Sequence, residues 1–136
     1  MNTESLPEHL ILASSSKYRR ELLRRLHIPF ECSSPDIDEA PLPGESPRDL
    51  VSRLATQKAG AIGQDHPRSI VIGSDQMAVF KGDIIGKPLD HEAAFDQLSS
   101  FSGESVEFLT AVSVLRLDRN FLEHHTDSTR VHFRKD

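Results

Sequence analysis

The sequence predicts an α/β fold, a mixed twisted sheet flanked by helices. Three observations carry that expectation. Short apolar runs of strand character, Leu10–Ala13 and Ile70–Ile72, are separated by longer stretches of helical period. The elements read in the order strand, helix, strand, helix, strand pair, helix, strands, which is the alternation of a layered α/β domain. No repeat, low-complexity stretch or linker interrupts the 136 residues, so one domain is expected.

The elements follow in order. Leu10 to Ala13 reads as a buried strand that stops at Ser14-Ser15-Ser16. A helix should follow, because Tyr18, Leu22 and Leu26 recur at i, i+4 and i+8, with Ser15 or Ser16 as its cap. It should stop near Pro29, since proline disfavours a helical residue before it. Phe30 to Ser33 is a weak strand, and Ser34 to Glu45 a proline-rich loop bearing Asp36, Asp38 and Glu39. A second helix opens at Ser46-Pro47, where serine caps, proline suits the first helical position and Asp49 has capping-box spacing. Its apolar side is Leu50, Val51, Leu54, Ala55, Ala59 and Ile62.

Ile70-Val71-Ile72 should be a central strand covered on both faces. It is expected to end in a turn at Gly73-Ser74-Asp75-Gln76 before extended chain resumes at Met77. Lys81-Gly82-Asp83 makes a hairpin turn into Ile84-Ile85, and Gly86-Lys87-Pro88 breaks the strand. Asp90 is placed to cap a third helix with Ala94, Leu98 and Phe101 as its stripe and Gly103 as its stop. Val106 to Leu117 is a strand whose apolar run is interrupted by Thr110 and Ser113. His125 to Phe133 alternates more weakly. The pattern stops in or just after that last strand, without a closing helix, so the fold is expected to be C-terminally incomplete.

Composition narrows the function classes. With 37% hydrophobic and 27% charged residues the chain has the make-up of a soluble globular protein. A net charge of −5 argues against a general nucleic-acid binder, which needs a basic surface to displace counterions. The single cysteine, Cys32, excludes an internal disulfide and fits a reducing compartment. The N-terminus lacks the basic start and apolar run of a secretory signal, and no apolar stretch reaches membrane-spanning length. A cytoplasmic protein with no membrane partner is expected. The seven histidines have no zinc spacing, and neither a Walker loop nor a G-x-G-x-x-G motif occurs.

Several residues have chemistry to offer. The turn from Ser14 to Arg20 joins a strand to a helix N-terminus, where free N–H groups and the helix dipole attract anions. Ser14 and Ser16 add hydroxyl donors and Arg19 a guanidinium fork. The same residues also read as a plain capped helix with a solvated basic face. Asp75, after an apolar run, can bind a divalent cation, take a proton from water, or merely bond its own backbone in a turn. Lys58 falls on the apolar side of the second helix, so it either snorkels to the rim or enters a pocket. Glu39 in its acidic loop can offer oxygen ligands or stay solvated. Lys87 sits in a constrained turn.

The blocks Leu10–Ser16 with Arg19-Arg20, Pro35–Glu39, Leu54-Ala55 with Lys58-Ala59, Ile72–Gln76 and Gly86–Pro88 stand in an order that resembles the Maf family of nucleoside triphosphate pyrophosphatases. Looser similarity extends through Phe101–Gly103 to Val131–Phe133. The resemblance implies a Maf/inosine-triphosphatase-like sheet and cleavage of the α–β anhydride of a nucleotide, giving a monophosphate and pyrophosphate. It implies a general base at Asp75 and a phosphate site at Ser14, Ser16, Arg19, Lys58 and Lys87. It further implies Mg²⁺ or a similar divalent cation, held by Glu39 and Asp75, and often a homodimer. In the branch acting on dTTP and UTP the position of Tyr18 is usually Arg, and Thr follows the catalytic Asp. Tyr18 and Gln76 resemble instead the branch acting on 7-methyl-GTP. Methylated guanine is cationic and can stack on an aromatic ring, and a glutamine amide offers both donor and acceptor to a base edge. Relatives continue past the point matching Asp136 with a helical region and a Gly-rich stretch. Two alternatives follow: a shortened, non-catalytic nucleotide-binding or regulatory protein, and a dTTP/UTP pyrophosphatase.

Overall fold

A computed structural model describes residues 10–85 and 91–135. The strand Leu10–Ala13 (β1) enters the serine turn, and the helix Lys17–Arg24 (α1) follows. Ser16 is the cap: its Oγ accepts the Arg19 N–H at 3.2 Å. Chain direction then reverses through His27, at φ 58°, into the two-residue strand Glu31–Cys32 (β2), which pairs parallel with β1. The helix Pro47–Gly63 (α2) starts as its sequence requires. Ser46 Oγ accepts the Asp49 N–H at 3.1 Å and proline occupies the first turn.

The strand Ile70–Phe80 (β3) runs unbroken for 11 residues. The expected turn at Gly73–Gln76 is therefore absent, and Asp75 stands in mid-strand, opposite Ala111. Lys81 and Gly82, both at positive φ, turn the chain into the strand Asp83–Ile85 (β4). Gly86, Lys87, Pro88 and the proposed cap Asp90 lie outside the described residues. The helix His91–Ser100 (α3) ends before Gly103 at φ 74°. The strands Ser105–Arg116 (β5) and Phe121–His132 (β6) form a long antiparallel hairpin, turned at Asn120 in the left-handed region. β6 begins four residues earlier than its weak alternation indicates.

The sheet order is β2-β1-β3-β5-β6, with β4 also on β3. β1 and β2 pair parallel with their neighbours and the rest antiparallel, so the sheet is mixed as expected. α2 packs on one face. Val51, Ala55, Ala59 and Ile62 meet Ile11, Ala13, Val71, Val79, Leu109, Ala111 and Leu115 in two adjoining clusters. Burying one such aliphatic side chain contributes about 1.5–3 kcal/mol, so this face is the energetic centre of the domain.

The opposite face is thinly covered, which corrects two expectations. Ile70 and Ile72 are only half-buried, so β3 is not sealed on both sides. Most of the two helical stripes stays out of the core: neither α1 nor α3 has a buried residue, and Tyr18, Leu22, Leu26 and Leu98 are exposed, whereas Phe101, just past α3, is buried against Phe80 and Phe133 as its place in the stripe requires. Periodicity fixed which side of each helix is apolar. It did not supply the surface to cover it. No helix among the described residues is long and apolar enough to cross a membrane.

Candidate active site

The site arises from a gap in strand pairing. One edge of β3 is taken by β5 from Val71 to Val79. The other edge is shared: β1 pairs with Ile70–Gly73 and β4 with Ala78–Phe80. Ser74 to Met77 face the space between them. β1 leaves the sheet at Ala13, and its serine turn curls over that space. A cavity of about 520 Å³ occupies it, walled by Ser14–Arg19, Pro35, Glu39, Lys58 and Gln76.

Strand alternation decides which side chain goes where. Val71, Gly73, Asp75, Met77 and Val79 share the face under α2. Asp75 therefore faces α2, from which Lys58 reaches it. The pair is close, with Lys58 Nζ donating to Asp75 Oδ1 at 2.9 Å. Both side chains are nearly buried, 12% and 11% exposed, so water screens this pair far less than a surface one. The lysine thus enters the pocket rather than snorkelling, and Asp75 bonds a cation rather than its own backbone.

Gly73 makes the close approach possible. A Cβ added there would strike the Ala55 carbonyl oxygen and come within 2.7 Å of the Ala59 nitrogen. Only glycine lets α2 lie this low on β3, at the level where Lys58 reaches Asp75. The glycine of the Ile72–Gln76 block thus serves helix packing, not a turn.

At the turn, Ser14 is buried, and its Oγ accepts from the Ser16 N–H at 3.0 Å and from Arg19 Nη1 at 3.3 Å. Arg19 is thereby held across the mouth of the turn. Ser16 serves as the helix cap, which leaves its hydroxyl proton to donate. Glu39 reaches the same cavity from its loop, and its Oε2 lies 3.9 Å from Lys58 Nζ. Tyr18 stands at the rim, 68% exposed. Gln76, on the other face of β3, donates from Nε2 to Thr110 Oγ1 at 3.2 Å. This leaves its amide oxygen as the free acceptor.

Two carboxylates, Asp75 and Glu39, converge on one ammonium. Among the described residues no group of three or more His, Cys, Asp or Glu could enclose a metal ion. Glu39 in the cavity wall and the nearly buried Asp75 are nonetheless a pair of hard oxygen donors of the kind that binds Mg²⁺, which takes one or two carboxylates with other oxygen ligands and water completing its shell. Of the expected site residues, Ser14, Ser16, Tyr18, Arg19, Glu39, Lys58 and Gln76 line one cavity and Asp75 lies beneath it. Lys87 lies outside the described residues.

Sequence reasoning missed three contributors. Thr110 and Ser113 read only as interruptions of an apolar strand, yet each hydroxyl is used: Thr110 on Gln76, and the fully buried Ser113 on Thr56 Oγ1 at 2.7 Å. Such interruptions in a core strand were the available signal. Arg53 on α2 had none. It forks onto Glu45, with Nε to Oε2 at 2.7 Å and Nη2 to Oε1 at 2.9 Å. That guanidinium, together with the Leu42 N–H, pulls the Glu45 carboxyl down to about 2.

Comparison with known proteins agrees with this architecture. The fold matches the Staphylococcus aureus Ham1 protein with a TM-score of 0.64 at 14% identity, over 92% of this chain and 71% of that one. The 7-methyl-GTP pyrophosphatase of a Polaromonas species is 52% identical over 92% of this chain and 57% of its own length. The protein of that name from Bordetella parapertussis is 56% identical over 81% of this chain and 55% of its own. That from Nitrosospira multiformis is 46% identical over 98% of this chain and 68% of its own. The chain therefore spans between about half and two thirds of the length of these relatives. A family profile described as Maf-like protein matches residues 9–135. The chain belongs to the Maf-like protein family.

Proposed function

We propose that this chain carries the phosphate-handling pocket of a nucleotide pyrophosphatase that cleaves the α–β anhydride of 7-methyl-GTP. The observation that carries the proposal is the Lys58–Asp75 pair at 2.9 Å, nearly buried beside a polar cavity that Ser14 and Arg19 also enter. The names of the relatives support the substrate, and Tyr18 and Gln76 at the cavity support a purine read by stacking and by one amide acceptor.

In this reading Arg19 and Lys58 hold phosphate oxygens, and the hydroxyls of Ser14 and Ser16 and the free N–H groups of the turn add donors. Lys87 is proposed as a further phosphate contact. As the triphosphate draws Lys58 toward its oxygens, the Asp75 carboxylate loses its ion-pair partner and becomes free to accept a proton from water. The water oxygen bonds to the α-phosphorus, the α–β bridge breaks, and the bridging oxygen leaves with pyrophosphate. A bound divalent cation would supply charge neutralisation at the phosphates and a more acidic water, with Glu39 and Asp75 as its carboxylate ligands. A cytoplasmic setting belongs to the same proposal.

The test is to incubate the chain with 7-methyl-GTP and Mg²⁺ and to follow products by phosphorus NMR. Pyrophosphate and 7-methyl-GMP as first products support the proposal. Orthophosphate as the first product would overturn the bond assignment. Binding without any product would replace the reading by that of a nucleotide-binding protein. Preferred turnover of dTTP or UTP would replace the substrate.

A further inference from the structure

The loop that carries Glu39 contains no helix or strand between Ser33 and Pro47, yet it must hold one carboxylate at a defined place over the cavity. Arg53, which faces away from the cavity, is what ties it down. Its guanidinium makes four hydrogen bonds. Two go to Glu45, one runs from Nη2 to the Ala40 carbonyl at 3.1 Å, and one from Nη1 to Gln57 Oε1 at 3.0 Å. Glu45 in turn accepts the Leu42 N–H at 2.9 Å, and Asp38 accepts the Ala40 N–H at 3.0 Å. The chain is therefore pinned at Ala40, the residue directly after Glu39, and again at Leu42 and Glu45.

The other end of this device is on the same helix. Lys58 lies five residues beyond Arg53 on α2, about 7.5 Å along the axis. Glu39 Oε2 stands 3.9 Å from Lys58 Nζ, which bonds Asp75. One rigid element thus sets both the loop carboxylate and the strand carboxylate. The bidentate fork needs a planar guanidinium, and a lysine ammonium cannot reproduce it.

We propose that Arg53 is a positioning residue: by clamping Ala40 and Glu45 it sets Glu39 opposite Asp75 as the second carboxylate of a divalent-cation site. The inference rests on the reading that Glu39 and Asp75 share a cation. Arg53 is not part of the wall of the cavity. It acts through Glu39 alone.

Because Arg53 acts through Glu39, its role is open to a test apart from activity. Mn²⁺ is titrated into the chain, and free ion is counted by electron paramagnetic resonance. The proteins are the unsubstituted chain, Arg53→Lys, Glu45→Gln, Glu39→Gln, and the double variant Arg53→Lys/Glu39→Gln. Melting without metal shows which of them fold. Arg53→Lys should weaken Mn²⁺ binding about 10-fold, as loss of an outer-shell partner does. Glu45→Gln, which removes the other half of the fork, should do the same. In the Glu39→Gln background the Arg53→Lys step should have almost no further effect, because the group it positions is gone. An equal loss in both backgrounds would show that Arg53 merely supports the fold, and would overturn the proposal. So would unchanged Mn²⁺ binding by Arg53→Lys while Glu39→Gln weakens it. If Glu39→Gln binds Mn²⁺ as well as the unsubstituted chain, or the unsubstituted chain binds none, the two-carboxylate reading fails and this inference with it.

Discussion

Replacing Gly73 by Ala should damage the site through packing alone. The residue does not sit at positive φ, so alanine meets no backbone strain. What it meets is α2. Its Cβ would lie 2.7 Å from the Ala59 nitrogen, where ordinary contact begins at 3.4 Å, and closer still to the Ala55 carbonyl oxygen. Both obstacles are helix backbone and cannot rotate aside. α2 must therefore lift by about 0.7 Å to clear the Ala59 nitrogen (3.4 less 2.7 Å), and by more to clear the Ala55 oxygen. Lys58 adjoins Ala59 and moves with it, so its 2.9 Å bond to Asp75 must lengthen or its stem must rearrange to keep it. Overpacking of this kind costs about 1–3 kcal/mol. For a domain of this size that is a fall in melting temperature of roughly 3–12 °C. Circular dichroism melting gives the first number, and calorimetric titration with 7-methyl-GTP should show weakened binding. Gly60→Ala is the control. It lies inside the same helix with nothing within 4 Å of an added Cβ, so it should raise stability by about 0.5–1 kcal/mol. Gly73→Ala melting within a degree of the parent, with unchanged nucleotide affinity, would refute the close packing of α2 on β3 from which the Lys58–Asp75 geometry is argued.

Other expectations follow from single contacts. The Glu45 carboxyl is lowered from 4.5 to about 2, chiefly by its bond to Arg53, so its contribution is fully present above pH 4.5 and is lost as pH falls through 2. The melting-temperature gap between the parent and Glu45→Gln should thus be constant from neutral pH down to about 4.5 and close below it. A gap that widens in acid would contradict the clamp. Ser113→Ala leaves the Thr56 hydroxyl at the α2–β5 interface without its partner and should cost about 1–3 kcal/mol, whereas adding Thr56→Val should recover most of the loss in denaturant titrations. Two additive losses would argue against the shared hydrogen bond.

The local parts of this fold were legible because their signals are local. Ser46-Pro47 announced α2, and the spacing of Leu50, Val51, Leu54, Ala55, Ala59 and Ile62 identified the residues that are in fact buried. Lys81-Gly82 announced the β3–β4 turn. What failed was decided at long range. Gly73-Ser74-Asp75 has turn composition, but nine residue pairs with β5 hold it extended, and the glycine answers to helix packing. β6 is exposed almost throughout, so its alternation is faint, yet twelve pairs with β5 define it. The candidate site divides in the same way. Ser14, Arg19, Lys58 and Asp75 were found from blocks of neighbouring residues. Arg53 and Glu45 work across a loop of irregular chain, and no spacing rule brings them together.

Asp75 is proposed as the proton acceptor in a pocket for a nucleoside triphosphate. The most direct measurement is pyrophosphate release from 7-methyl-GTP by the chain and by Asp75→Asn, run side by side in isotopically labelled water. Asparagine keeps the shape and leaves Lys58 an oxygen to bond but removes its close counter-charge, so melting is followed alongside to show that the variant is folded at the assay temperature. Release by the parent with the label in 7-methyl-GMP is expected, and a loss of at least about 100-fold in the variant. Release undiminished in Asp75→Asn would contradict it.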